Sequence, residues 1–259
     1  MKAPVLLLFS LVFNLLVNAQ STDSLRPAVF HWDSLEVATS HNRAIRDVLE
    51  GSTTSLLRLE VKALTFGPGA TGGAGLKKIE GFEQLVIVKE GGISVTIGKN
   101  TRQLESGGIA FILPGDLYAI QTTGDRLSTC YILNYYGKKP DAARGVSAGG
   151  SFALDWSDLV TRETGKGYRR DFFNRPTSQL AQFEMHTTAL NADSASHAPH
   201  KHVQEEIILV VRGQVTMNIN GQFLPASPGD LVFLPANVPH ALINTGKEQC
   251  EYFAFQWRN

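Results

Sequence analysis

The chain has 259 residues, of which 43% are hydrophobic, 9% aromatic and 19% charged. With two cysteines, that composition excludes a disordered tail protein, a collagen-like fibre and a disulfide-dense scaffold. Lys and Arg (24) balance Asp and Glu (24), so no basic excess exists to hold phosphate backbones, and no nucleic-acid partner is expected.

Residues 1–20 (MKAPVLLLFSLVFNLLVNAQ) have a Lys near the start, an apolar run over 5–17 and the small Ala19 before Gln20. This is the pattern of a secretory signal peptide over 1–19. The run is short for a bilayer span, and an uncleaved anchor is the alternative. The mature chain is expected in a periplasm or outside the cell, with no membrane partner after signal cleavage. A mixed, polar N-terminal segment follows over 20–55. Within it, HNRAIRDVLE (41–50) has a weak helical spacing.

From Leu56 the pattern changes to short apolar runs broken by Gly, Pro, Asn and Asp. LVIV (85–88), ISVTI (93–97) and IAFIL (109–113) are strand-length and rich in β-branched residues. After a Gly-rich break at 145–150 the pattern returns in IILVV (207–211), VTMNI (215–219) and LVFL (231–234). The halves overlay: EQLVIVKEGGISVTI from Glu83 matches EEIILVVRGQVTMNI from Glu205. Gly91 and Gly213 are 122 residues apart, Pro114 and Pro235 are 121 apart, and Cys130 and Cys250 are 120 apart. A repeat this long is a duplicated domain rather than a solenoid unit. Short strands with close turn signals predict two all-β barrels or sandwiches, over 56–144 and 181–259, joined by a linker over 145–180.

The second copy carries metal-ligand chemistry. In HKHVQEE (200–206), strand alternation would set His200, His202, Gln204 and Glu206 on one face, with Glu205 opposite. His240, in PANVPH (235–240), is available as a fourth ligand. Three imidazoles and a carboxylate suit one divalent transition metal (Mn, Fe, Ni, Cu, Zn or Co) better than Ca or Mg, which prefer all-oxygen shells.

These stretches resemble the two cupin motifs. Residues 200–213 have HxH, then Glu after three residues, then Gly after six more; 229–244 have G, five residues, Pro, then His and Asn. Asn237 stands where the second motif usually has Gly, and Asn tolerates a left-handed backbone. The resemblance implies a bicupin of two tandem jelly-roll β-barrels, with His200, His202, Glu206 and His240 as metal ligands. At the equivalent positions the first copy has Lys78, Glu80, Gln84 and Tyr118, so a degenerate, structural barrel is expected there. A separate small-ligand site using Lys78, Glu80 and Tyr118 is the sharper alternative. A C-terminal metal barrel after a degenerate one is also similar to ureidoglycine aminohydrolase architecture, and FEMHT (183–187) resembles a stretch of that family. The ligand set there is Glu, His, His, Gln, so only the architecture is carried over.

Other residues say less. His186 reads as a core histidine or a base near the metal, His197 as a solvated loop residue, and Asn244 as a support for the loop after His240. Arg169, Arg170 and Arg175 read as a solvated or domain-joining face, with carboxylate binding as the sharper alternative. Cys130 and Cys250 are expected to be buried free thiols. The expected function is that of an exported metal-dependent enzyme acting on a small oxygen-rich molecule such as a sugar acid, polyol or phenolic. An isomerase, a hydrolase and a quercetinase-like dioxygenase all fit, and a non-catalytic binding or sensing module is the competing class. Catalytic residues beyond the ligands are not assigned, no organic cofactor is expected, and exposed barrel edges would admit a homodimer.

Overall fold

The apolar runs become the central strands of two large antiparallel sheets. The computed structural model describes residues 23–40, 42–70 and 75–259; the signal-peptide reading falls on residues outside these. The first seven-stranded sheet runs, edge to edge, Phe152–Leu154, Ile109–Ile112, Glu83–Glu90, Ser128–Gly137, Leu56–Phe66, Arg43–Gly51 and Ala38–Ser40. The second runs Ala28–Phe30, Leu231–Leu234, Glu205–Arg212, Cys250–Arg258, Gln182–Leu190, Gly167–Arg175 and Thr161–Thr164. A smaller sheet of four strands, led by Leu117–Thr122 and Ile93–Ile97, completes the N-terminal barrel. One of three, Gln222–Ala226, Val215–Ile219 and His240–Asn244, completes the C-terminal barrel. The fold is all-β, two jelly-roll barrels in tandem.

The central strands of each large sheet are buried on both faces. In Glu83–Glu90, Val86 and Val88 enter the N-terminal barrel core, while Leu85 and Ile87 face the joint between barrels. In Glu205–Arg212, Ile208 and Val210 enter the C-terminal core, while Ile207 and Leu209 face the joint. That is why both strands read as unbroken apolar runs instead of alternating ones. Cys130 and Cys250 are free and buried, in different barrels.

The duplication reaches further upstream than the sequence landmarks suggest. Trp32 and Trp156 are 124 residues apart and open equivalent 3-10 turns, Trp32–Ser34 and Trp156–Asp158. The short strand before each turn crosses to the other barrel: Ala28–Phe30 pairs with Leu231–Leu234, and Phe152–Leu154 with Ile109–Ile112. The stretch expected as a linker therefore contributes an edge strand to the N-terminal sheet and the strands Thr161–Thr164 and Gly167–Arg175 to the C-terminal one. The polar segment before Leu56 is likewise built into the sheets. Of the stretch 41–50, read with a weak helical spacing, residues 43–50 lie in the strand Arg43–Gly51, which bulges between Asp47 and Leu49.

Two buried carboxylates fasten the joint. Glu205, 1% exposed, accepts from the backbone N–H groups of Thr54 (2.7 Å) and Ser55 (3.0 Å), the Thr53 hydroxyl (2.9 Å) and Trp257 Nε1 (3.0 Å). Glu83, at the equivalent position, accepts from the Ser178 N–H at 2.6 Å. Each carboxylate holds a loop of the opposite barrel. Burial pushes the Glu83 carboxyl above its usual range, against the hydrogen bond it receives from Ser178. Glu205→Ala would strand several N–H donors in the joint, each costing about 1–3 kcal/mol. We expect it to lower urea-unfolding stability by more than Glu205→Gln, which keeps one acceptor oxygen. Equal stability of the Ala variant and wild type would refute the latch.

Candidate metal centre

The local chain path explains why four side chains converge. The three histidines do not sit on one continuous strand. The strand begins at Glu205, and residues 201–204 form an irregular approach to it. Parity therefore sets the Glu205 and Glu206 faces, as read from the sequence, but not those of His200 and His202. What aligns the histidines is an isolated antiparallel bridge. His200 N donates to the His240 carbonyl at 3.1 Å, and His240 N to the His200 carbonyl at 2.9 Å. Asn237 makes the turn with φ of 62°, and its N–H donates to the His202 carbonyl at 2.7 Å, tying the two motifs together. Gln204, placed on the ligand face by alternation, uses its carbonyl to face His202 Nδ1 at 3.0 Å.

Ligand atoms of His200, His202 and His240 all lie within 4.8 Å of one another. Glu206 Oε2 lies 3.1 Å from His240 Nε2 and 3.3 Å from His202 Nε2. Backbone carbonyls orient two of the rings: His240 Nδ1 faces the Val238 oxygen at 2.8 Å, as His202 Nδ1 faces that of Gln204. With Nδ1 donating, each Nε2 lone pair turns toward Glu206, the arrangement by which a second partner orients a ligating imidazole. Glu206 and His240 are buried (5% and 4% exposed), while His200 stands at the mouth.

The electrostatics fit an ion. Burial opposes ionisation of Glu206, but the rings of His202 and His240, donating to it when protonated, outweigh burial and hold the carboxyl at about 2, and Glu206 in turn raises His202; a metal would take the place of those protons. Desolvation, then the neighbouring imidazoles, lower His200, which keeps it neutral and able to ligate near pH 7. His202 Nε2 is buried and makes no hydrogen bond, a vacancy a cation would satisfy. Three imidazole nitrogens and one carboxylate are a donor set for a divalent transition metal.

The cluster opens into a cavity of about 470 Å³. Lys166, Arg169, His186, Tyr252 and Gln256 bring polar groups to its wall, and Leu190, Ile208, Met217 and Leu242 make part of it apolar. Sequence reasoning missed Lys166, Tyr252 and Gln256, which match no motif: sheet pairing brings Tyr252 and Gln256 to the cavity, and Lys166 reaches it from the turn between Thr161–Thr164 and Gly167–Arg175. His186 does line it, with Nδ1 3.3 Å from Glu184 Oε1. The His197 ring packs 3.8 Å from that of His200. Asn244 supports a loop: Nδ2 donates to the carbonyls of Leu190, Asn191 and Glu248. The three arginines part company. Arg169 pairs with Glu184 (2.7 Å) at the cavity, Arg170 with Glu251 (2.8 Å), and Arg175 donates to the Ala148 and Gly150 carbonyls.

At the equivalent place in the first barrel, Tyr118 donates to Gln84 Oε1 at 2.8 Å, so a neutral hydrogen bond joins the positions that Glu206 and His240 occupy in the second. Lys78 and Glu80 do not join them; they pair with each other at the surface, 3.7 Å apart.

Residues 187–255 match the cupin domain family. The fold is that of a bicupin. Among solved structures, the chain resembles protein Ylba from E. coli (20% identity, TM-score 0.69), with 96% of this chain and 97% of that one covered. It also resembles a glyoxylate-induced protein of Pseudomonas aeruginosa (17%, TM-score 0.70, 93% and 92% covered). A third similar structure is oxalate decarboxylase of Lactobacillus farciminis in complex with formate (13%, TM-score 0.67, 91% and 87% covered). No curated protein matches by sequence.

Replacing His240 or His202 with Ala is expected to weaken metal binding beyond the roughly 10–100-fold lost when only an outer hydrogen-bond partner of a ligand is removed. His197→Ala should stay within that range. Competition against a fluorescent chelator measures both, and equal losses at His197 and His240 would contradict the assigned ligand set.

Proposed function

We propose that the C-terminal barrel of this bicupin holds one divalent transition metal on His200, His202, Glu206 and His240, and that the protein is an exported metal-dependent enzyme acting there on a small oxygen-rich molecule. The carrying observation is the convergence of those four side chains, three of which (His200, Glu206 and His240) line the cavity. A metal so held supplies Lewis acidity, or redox chemistry if it changes valence, toward a pair of substrate oxygens. The chain's own groups do the rest. Lys166, which also donates to the Ala195 carbonyl at 2.7 Å, offers charged N–H donors to an anionic substituent, Arg169 is already matched by Asp171 and Glu184, and the apolar wall limits water. His186, beside Glu184, stands where it can hold or pass a proton.

Among the candidate substrates (sugar acid, polyol, phenolic), Lys166 favours the acid, and the oxalate decarboxylase likeness points the same way. Elemental analysis of the purified protein comes first, because metal identity prunes the list of reactions. Metal-loaded protein should then turn over a member of an acid panel, and Glu206→Gln should reduce turnover at least about 100-fold, on the scale of a lost electrostatic contact in a desolvated site. Oxygen uptake separates a dioxygenase from an isomerase or hydrolase. Ligand-induced thermal stabilisation without product across the panel would refute the enzyme reading while leaving metal binding intact.

Export is tested on protein from its native host. The mature chain should begin at Gln20 by N-terminal sequencing, and retention of Met1 would overturn this reading.

A further inference from the structure

A separate cavity, of about 140 Å³, lies at the joint between the barrels and shares no lining residue with the metal cavity. Apart from Trp156, its lining residues fall into pairs 122 residues apart, the spacing of Gly91 and Gly213 in the internal repeat. The cavity therefore sits on the axis that relates one barrel to the other. Its floor is apolar and aromatic: Ile87 and Leu209 form one buried pair, Tyr131 and Phe253 another. An indole meets each ring edge-on, Trp32 against Tyr131 and Trp156 against Phe253, with centroids 5.8 and 6.0 Å apart. A glycine pair makes room for the indoles. Gly107 and Gly229 have φ of 90° and 97°, and a Cβ would fall 2.2 Å from the Trp156 ring at the first and 3.1 Å from that of Trp32 at the second.

At the mouth the paired positions differ in polarity. The N-terminal copy supplies Lys89 and Ser106 where the C-terminal copy supplies Val211 and Pro228. The Lys89 ammonium stands 4.5 Å from the Trp32 ring centroid, and it forms no ion pair among the described residues. Asp230, the acid that accepts from the Trp32 N–H, is held by His31 and the Ser227 N–H as well. The Tyr131 phenol is also engaged, donating to the Gly229 carbonyl at 2.6 Å. A symmetric frame thus encloses a cavity with one cationic edge, one apolar edge and an aromatic floor. A mostly apolar cavity with a few placed polar groups is the usual form of a small-ligand site.

We propose that this joint cavity binds a single-ring aromatic carboxylate, its ring over Leu209 and Phe253 and its carboxylate toward Lys89 and Ser106. An apolar protein cavity of about 150 Å³ takes up one benzene ring, so the space here suits one ring with its charged substituent at the mouth. Edge-to-face contacts favour an aromatic ring against these walls, and an ammonium and a hydroxyl on one rim give it a single orientation.

The test is calorimetric titration of the full chain with benzoate, with benzyl alcohol as the uncharged analogue and acetate as the ringless one. Benzoate should bind saturably and about tenfold or more tighter than benzyl alcohol, what one charge-assisted hydrogen bond is worth. Lys89→Met should bring benzoate down to the affinity of the alcohol. Val211→Trp and Ser106→Trp each fill the mouth, from opposite rims, and should abolish binding; both positions are exposed, so folding should survive. His200→Ala, which alters the metal cluster, should leave binding unchanged. No saturable binding would overturn the proposal, as would equal affinity for acetate or unchanged affinity in the two Trp variants or in Lys89→Met. Loss of benzoate binding in His200→Ala would overturn it too.

Discussion

Burial of both faces of the central strands of the two large sheets is the constraint on which the molecule rests. A strand has two faces and a period of two, so neighbouring residues in Glu205–Arg212 serve different compartments. Glu205 turns to the joint, where four donors from two barrels surround it. Glu206 turns into the C-terminal barrel, where two imidazoles face it. A one-residue slip in register would exchange them, turning Glu205 toward the histidines, Glu206 out to the joint, and every apolar neighbour to the wrong compartment. The pairing of Ile207 with Phe255 and of Ile208 with Ala254 therefore sets the site's chemistry as well as the packing.

The two barrels show how one backbone supports different chemistry. Equivalent positions hold Glu206 and His240 in one, Gln84 and Tyr118 in the other. Ion and imidazole become amide and phenol, and a charged cluster becomes a hydrogen-bonded pair. The amide avoids burying a second unmatched carboxylate in a barrel without histidines, which would otherwise be costly. The joint, in contrast, keeps its carboxylates at both equivalent positions, Glu83 and Glu205, because each satisfies a loop of the opposite barrel. The joint is reciprocal; the interiors are not.

The convergence of His200, His202, Glu206 and His240 and the central strands were legible in the sequence because each has a local signal: motif spacing for the four side chains, and apolar runs for Glu83–Glu90 and Glu205–Arg212. The exchanged strands were not. Ala28–Phe30 and Phe152–Leu154 are three residues each, and their pairing partners lie in the distant barrel. The strand Arg43–Gly51 misleads for a definite reason. Its bulge puts Val48 and Leu49 both in buried positions, so Ile45, Val48 and Leu49 mimic the three-and-four spacing of a helix. The equivalent strand, Gly167–Arg175, carries its bulge between Asp171 and Phe173.

The same adjacency that separates the two glutamates also links them. Glu205 cannot move without shifting the peptide that carries Glu206, and Trp257, which donates to Glu205, pairs with that residue across the sheet. The loop held by Glu205 leads directly into Leu56–Phe66 of the other barrel, the strand that bears Glu60 and Lys62 on the wall of a cavity in the N-terminal barrel. The interiors of both barrels thus hang from strands fastened at one joint. Rigidity there does for each interior what supporting hydrogen bonds do for a metal ligand: it limits the positions its polar groups can take before anything binds.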